Sequence, residues 1–189
     1  GNKADYTLRT SMIGINNTVT GANRAESADN LVMGVGNTAS NVQHLTAIGS
    51  KNTVSDAKNT VIVGDNRKVT GANNSVIIGS SDAETTTTVN DAVAIGHNTE
   101  VSAEGGVALG SKSKATVAAG AAGYDISTKA ASTDTSSTWK ATASAVSVGD
   151  VANDVTRQIT SVAAGTNDTD AVNVAQLKKV ETKISTVEA

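Results

Sequence analysis

The stretch "VIVGDNRKVTGANNSVIIG", Val61 to Gly79, runs through one pattern and then begins it again. An apolar run closes on a glycine, a polar stretch follows, and a second apolar run closes on a second glycine. Outward from it, glycines in the same position stand at Gly14, Gly34, Gly49, Gly64, Gly79, Gly96, Gly110 and Gly149, at intervals of 20, 15, 15, 15, 17, 14 and 39. Five residues beyond the first seven of them, Gly79 excepted, come Val19, Ala39, Val54, Val69, Val101 and Ala115, each followed by Thr or Ser. Gly21, Asn41, Asp56 and Gly71 follow two residues later, types that tolerate positive φ in a turn. Asn17, Asn37 and Asn52 recur three residues after their glycines. The unit therefore reads strand, turn, shorter strand, turn, and a fixed short period of about 15 residues means a solenoid.

The main runs, notably Val61-Ile62-Val63 and Val76-Ile77-Ile78, are apolar at every position. A half-exposed strand alternates apolar and polar, so both faces of these strands call for cover. A coil this small encloses a thin interior that one face fills. The other face needs a partner, for which a second copy of the same roll is the natural occupant. Composition agrees with narrow, stacked coils. Proline, which cannot donate to a ladder, is absent, and so is phenylalanine, which would overfill the interior. Two tyrosines and one tryptophan are the only aromatic residues.

The formal net charge of −3 gives no basic footprint for nucleic acid. Zero cysteines exclude disulfides, thiol chemistry and a cysteine-based zinc site. No apolar run approaches the length of about 18 residues that a membrane-spanning helix needs. From Gln176 the period changes. Leu177, Val180, Ile184 and Val187 are spaced 3, 4 and 3, the alternation of a heptad seam, with Lys178, Lys179, Glu181, Lys183 and Glu188 between them. Extended backward, that register puts Asn173 at a core position. Two heptads alone make a marginal coil, so the chain is expected to continue past Ala189 as a longer one.

The repeats "SVIIGSS" and "AVAIGHNTEVSAEGGVALGSKSKAT" and the segment "AVSVGDVANDVTRQITSVAAGTNDTDAVNVAQLKKV" resemble the trimeric autotransporter adhesins. The repeats look like that family's YadA-like head, and Arg157 to Leu177 look like its neck. The resemblance covers about residues 11–120 and 145–189. It implies a trimer of left-handed parallel β-rolls, a neck that widens a narrow stalk to meet the head, and a parallel trimeric coiled coil beyond. It also implies a bacterial cell-surface, outer-membrane protein whose head contacts host matrix, host cells or other bacteria. Contact with the membrane is expected only through an anchor outside this stretch. The expected layout is roll repeats at 1–120, an insertion at 121–145, the last repeat and neck at 146–176, and the start of the stalk at 177–189.

No catalytic, cofactor or metal residues are assigned. The histidine His97 follows a repeat glycine and reads as an outer-turn residue. The competing enzyme reading, a left-handed β-helix acyltransferase with a histidine base, carries a six-residue period that this chain does not keep. Calcium-binding nonapeptides need an aspartate recurring at each turn, and Asp65 is matched by Val35, Ser50 and His97. "TTTTV" at Thr85–Val89 could suggest an ice-binding threonine array, but it occurs once. In the insertion, Tyr124 and Trp139 are read as a cap on the roll's end, with a ligand contact as the alternative. In the neck, Arg157 and Asp170 are read as an ion pair between chains, and Asn173 as a polar core residue that specifies register. The function expected is an adhesin head acting through multivalent contacts, with a structural spacer for another adhesive domain as the alternative.

Overall fold

The computed structural model describes residues 1–187; Glu188 and Ala189, the end of the expected stalk segment, lie outside the described residues. Gly1–Ala121 together with Ala141–Thr156 form one compact unit, and Ala122–Lys140 with the segment from Arg157 onward form a second.

The first unit is a parallel β-solenoid. Longer and shorter strands alternate along the chain, and each kind stacks on its own kind. One sheet of eight strands runs, in spatial order, Val146–Ser147, Val107–Leu109, Val93–Ile95, Val76–Ile78, Val61–Val63, Thr46–Ser50, Ala28–Val35 and Leu8–Ile15. The other holds Lys3–Asp5, Thr18–Thr20, Thr38–Ser40, Thr53–Ser55, Arg67–Thr70 and Thr85–Thr87, and Glu100–Val101 pairs with Lys114–Ala115 beyond it. Register follows the repeat: Val32, Ala47, Ile62, Ile77, Ala94 and Ala108 lie side by side in one column. Val19, Ala39, Val54 and Val69 form the facing column. Both columns are buried, and the core is built from Val, Ala, Ile and Leu without an aromatic ring.

The repeat glycines are fixed by the approach of neighbouring coils. Gly34 has φ +129°, and a Cβ there would stand 1.8 Å from the Gly49 carbonyl oxygen. Asn41, Asp56 and Gly71 adopt the positive φ read from their positions.

The irregular intervals are outward loops. In the coil from Gly14 to Gly34 the surplus falls on residues 22–26, all exposed. In the coil from Gly79 to Gly96 it falls on Asp82, Ala83 and Glu84, also exposed. Because of that loop the inward residue of the coil is Thr87, opposite Val69, rather than a residue five beyond the glycine. The "TTTT" run is thus one strand of this coil with Thr87 turned inward. The insertion leaves the roll at Ala121 and returns at Ala141, whose N–H donates to the Ala121 carbonyl at 2.9 Å. Val146–Ser147 then resumes the large sheet against Val107–Ala108.

The second unit holds a small antiparallel pairing, Tyr124–Asp125 with Ala130–Ala131, a non-helical segment at 157–173 where the neck is expected, and the helix Val174–Val187.

Candidate functional site

In each three-residue strand of the large sheet the central side chain points inward and its two neighbours point out. Ile13, Met33, Ile48, Val63, Ile78, Ile95 and Leu109 are stacked in register along one outer column. Val63, Ile78, Ile95 and Leu109 are 37–45% exposed in the single chain. The parallel outer column carries Val61, Val76, Val93 and Val107, all partly buried. The sheet thus presents a continuous apolar ribbon, of the kind that marks an association surface. The sequence expectation that one face of these strands lacks cover is met in the single chain.

The outer face of the smaller sheet is polar instead. Thr18, Thr38 and Thr53 stack in one column, and Thr20, Ser40, Ser55 and Thr70 in the next. Ion pairs extend this polar surface: Lys68 with Glu84 at 3.3 Å, and Lys114 with Glu100 at 3.2 Å and Asp150 at 3.6 Å. At the turns, Glu26, Asn41, Gln43, Asp56 and Lys58 line an open groove of about 250 Å³. Asn41 donates to the Asp56 carboxylate there at 3.1 Å, and Gln43 to the Ala25 carbonyl at 2.6 Å.

His97 is exposed on a turn, 3.1 Å from Asp82. Asn98, donating at 2.7 Å, is the main reason that the Asp82 carboxyl titrates below the ordinary range, with His97 and Lys112 adding to it. The carboxylate of Asp65 ties its turn to those of the coils on either side, accepting from the Ser50 N–H at 2.6 Å and the Ser80 hydroxyl at 3.1 Å.

Beneath the first turn of three successive coils runs a polar spine that the sequence reading did not assign to the interior. Asn17, Asn37 and Asn52 are buried. Each donates its amide to the glycine carbonyl of the next coil, at Gly34, Gly49 and Gly64, over 2.7–2.8 Å. Each side-chain oxygen accepts the backbone N–H at the same place one coil on, in Asn37, Asn52 and Arg67. The signal available in sequence was the asparagine period itself, which turn propensity explained equally well.

Within the insertion, the Gly123 N–H donates to the Trp139 carbonyl at 2.7 Å, and a Cβ at Gly123 would stand 3.7 Å from the indole. Tyr124 is 67% exposed and Trp139 38%.

The neck is stapled by two amide side chains. Asn173 is the residue before the helix; its side-chain oxygen accepts the Gln176 N–H at 3.1 Å, and Gln176 returns the bond to the Asn173 N–H at 3.2 Å. That reciprocal pair is a capping box. Gln176 also bonds both backbone groups of Gly165, and Asn173 donates to the Val162 carbonyl at 3.2 Å, so the loop at 162–165 is pinned to the helix start. Gln176 was named in sequence only as the start of the helical period, although N-x-x-Q before an apolar period is a helix-start signal. Asp170 accepts the N–H groups of Asn167 and Thr166 at 2.9 and 2.8 Å, which hold its carboxyl below the ordinary range. Arg157 is exposed at the start of this segment. Along the helix, Leu177, Val180, Ile184 and Val187 are all exposed. The last three line an open apolar groove together with Lys183.

Residues 158–187 match a family model described as the coiled stalk of trimeric autotransporter adhesin. The chain is similar to autotransporter adhesin BadA of Bartonella henselae, 56% identical over 79 residues, which is 42% of this chain and 3% of the relative. It is also similar to trimeric autotransporter adhesin AtaA of Acinetobacter sp. (strain Tol 5), 50% identical over 78 residues, 40% of this chain and 2% of that protein. The chain therefore spans a small part of the length of the curated relatives it matches.

Proposed function

We propose, from the premise that the chain belongs to the trimeric autotransporter adhesins, that it is a head-and-neck segment which assembles as a homotrimer on a bacterial outer membrane and attaches the cell to other surfaces. The observation that carries this reading is the apolar ribbon Ile13 to Leu109, which needs cover from one end of the roll to the other. Three copies cover one another's ribbons and leave the polar sheets and turns outward as the adhesive surface. The host matrix, host cells and other bacteria are the surfaces such a head would engage. Single turns are short and offer no large apolar anchor, so each contact is weak. Three parallel copies raise the effective concentration of the second and third contacts, and avidity exceeds single-site affinity by about 10²–10⁴. In the neck, Arg157 of one chain pairs with Asp170 of another, and Asn173 helps set the register of the three helices. Tyr124 and Trp139 serve the insertion as a cap or as a ligand contact, which the deletion below separates.

The test is capture. The assembled chain should bind a ligand-coated surface, drawn from matrix proteins and intact bacteria, far more tightly than it binds the same ligand free in solution. Deletion of Tyr124–Lys140 should impair folding if the aromatic pair is a cap. A folded deletion variant that no longer captures would place the adhesive contact in the insertion instead. The second reading, a spacer that holds another adhesive domain away from the cell, draws support from the small share of each relative that this chain spans. Capture of no surface by the intact trimer would favour it.

A further inference from the structure

The asparagine spine breaks at Arg67, and the break coincides with the enlarged coil. Position three after the glycine is Asn17, Asn37 and Asn52 in successive coils, then Arg67. In the next coil that place falls to Asp82, which lies in the outward loop with its side chain 78% exposed. The enlarged coil thus contributes no side chain of its own to the spine. The same coil leaves the buried Ser81 hydroxyl without a hydrogen-bond partner among the described residues.

Arg67 fills the gap. It is 1% exposed, the largest fully buried side chain of the roll. Its Nε donates to the Gly79 carbonyl at 2.7 Å, the bond each asparagine makes to its next glycine. Its terminal nitrogens continue into the coil beyond, to the Thr99 carbonyl at 2.7 Å, the Gly96 carbonyl at 3.1 Å and the Thr99 hydroxyl at 3.1 Å, with the Ser80 carbonyl at 3.5 Å. Every one of these partners is neutral, and no carboxylate pairs with Arg67 among the described residues. A buried cation with no counter-ion is costly, and it persists where a full set of oriented oxygens satisfies it. An asparagine at this place would reach Gly79 and no further.

We propose that Arg67 is a clamp across three coils: it carries the polar spine past the enlarged coil, and so lets the roll bear the outward loop at residues 82–84 without splitting into two independently opening halves. Arginine suits the task because its planar fork presents five donors on a long stem, and the lysine ammonium offers one compact centre.

Native-state hydrogen exchange on the intact trimer tests this. In Arg67→Gln, amides of the far side, those of Gly96 and Asn98, should exchange about tenfold or more faster, the loss expected when a buried charged hydrogen-bond set goes. The amides of Gly49 and Lys51, on the near side, should change much less. Arg67→Lys should fall between. An equal rise on both sides, or no rise, overturns the clamp.

A second arm does not depend on the single variant's folding. Deleting residues 82–84 puts Thr85 three residues after Gly79, the regular spacing. In that shortened background Arg67→Gln should cost clearly less than in the full chain, and should fold even if the single variant does not. Equal cost in both backgrounds, or failure of both to fold, overturns the proposal.

Discussion

Ile77 is the middle residue of Val76–Ile78, stacked between Ile62 and Ala94 and fully buried. Its neighbours in the column, Ile62 and Ala94, are apolar and offer an intruding amide no partner. Ile77→Asn should lower stability by about 2 kcal/mol or more per chain, measured by chemical denaturation of the trimer. Unchanged stability would mean that this column is open to water. The polar residues that do lie inside are those with a partner at each rung. Asn17, Asn37 and Asn52 succeed because the glycine carbonyl and the next backbone N–H stand at fixed places one coil on. Their spacing was plain in the sequence, but whether they faced in or out was not. A turn asparagine and a spine asparagine share the same period, and only the closed coil distinguishes them.

At the scale of elements, the neck and helix depend on local hydrogen bonds more than on burial. The helix Val174–Val187 contains no buried residue in the single chain, so its start rests on the Asn173–Gln176 box. Asn173→Ala should cost about 1 kcal/mol and fray the first turn, seen as faster exchange of the Gln176 amide. Full protection of that amide in the variant would rule out the cap. Asp170 makes the neck sensitive to acid. Its folded-state value is depressed, by the Asn167 N–H first and the Thr166 N–H next. The loop's stabilisation is therefore present above the ordinary aspartate value of 3.8, and is lost as pH falls below 3.8 through the depressed value. Because the carboxylate is exposed the effect is small and local, and should show in an NMR titration as loss of protection at Thr166 and Asn167. Protection that persists to the acid limit would contradict it. The proposed pairing with Arg157 is checked separately. A double-mutant cycle of Arg157→Ala and Asp170→Ala should show coupling in trimer stability, and additive effects would refute it.

For the whole molecule, the proposed trimer rests on the outer ribbon. Ile78 is 41% exposed in the single chain and sits midway along its column. Ile78→Lys would put three ammonium groups, one per copy, against an apolar ribbon. It should shift sedimentation from trimer toward monomer while the spine and interior columns stay intact. A fully trimeric variant would mean that the ribbon is not the contact face. Changes of the same kind on the polar sheet, such as Thr53→Lys, should leave assembly unaltered.

The period of glycines and apolar runs determined by itself that the chain is a parallel solenoid, because a repeat of one length permits one way of stacking like on like. The 3-4-3 spacing from Leu177 likewise marked the helix. The loop surplus at 22–26 and 82–84 could be located as extra residues, the first of them beyond the regularly spaced Val19 and Gly21. The tertiary structure alone decided which residue of each apolar triplet faces the interior, since Val61-Ile62-Val63 is equally apolar throughout and alternation gives no clue. It alone decided that Thr87 takes the place of valine in the enlarged coil, and that Arg67 lies inside. An arginine in a turn reads as solvated on any local criterion. Its burial follows from carbonyls that come from two other coils, at Gly79 and at Gly96 and Thr99, and converge only once the chain has wound past it twice.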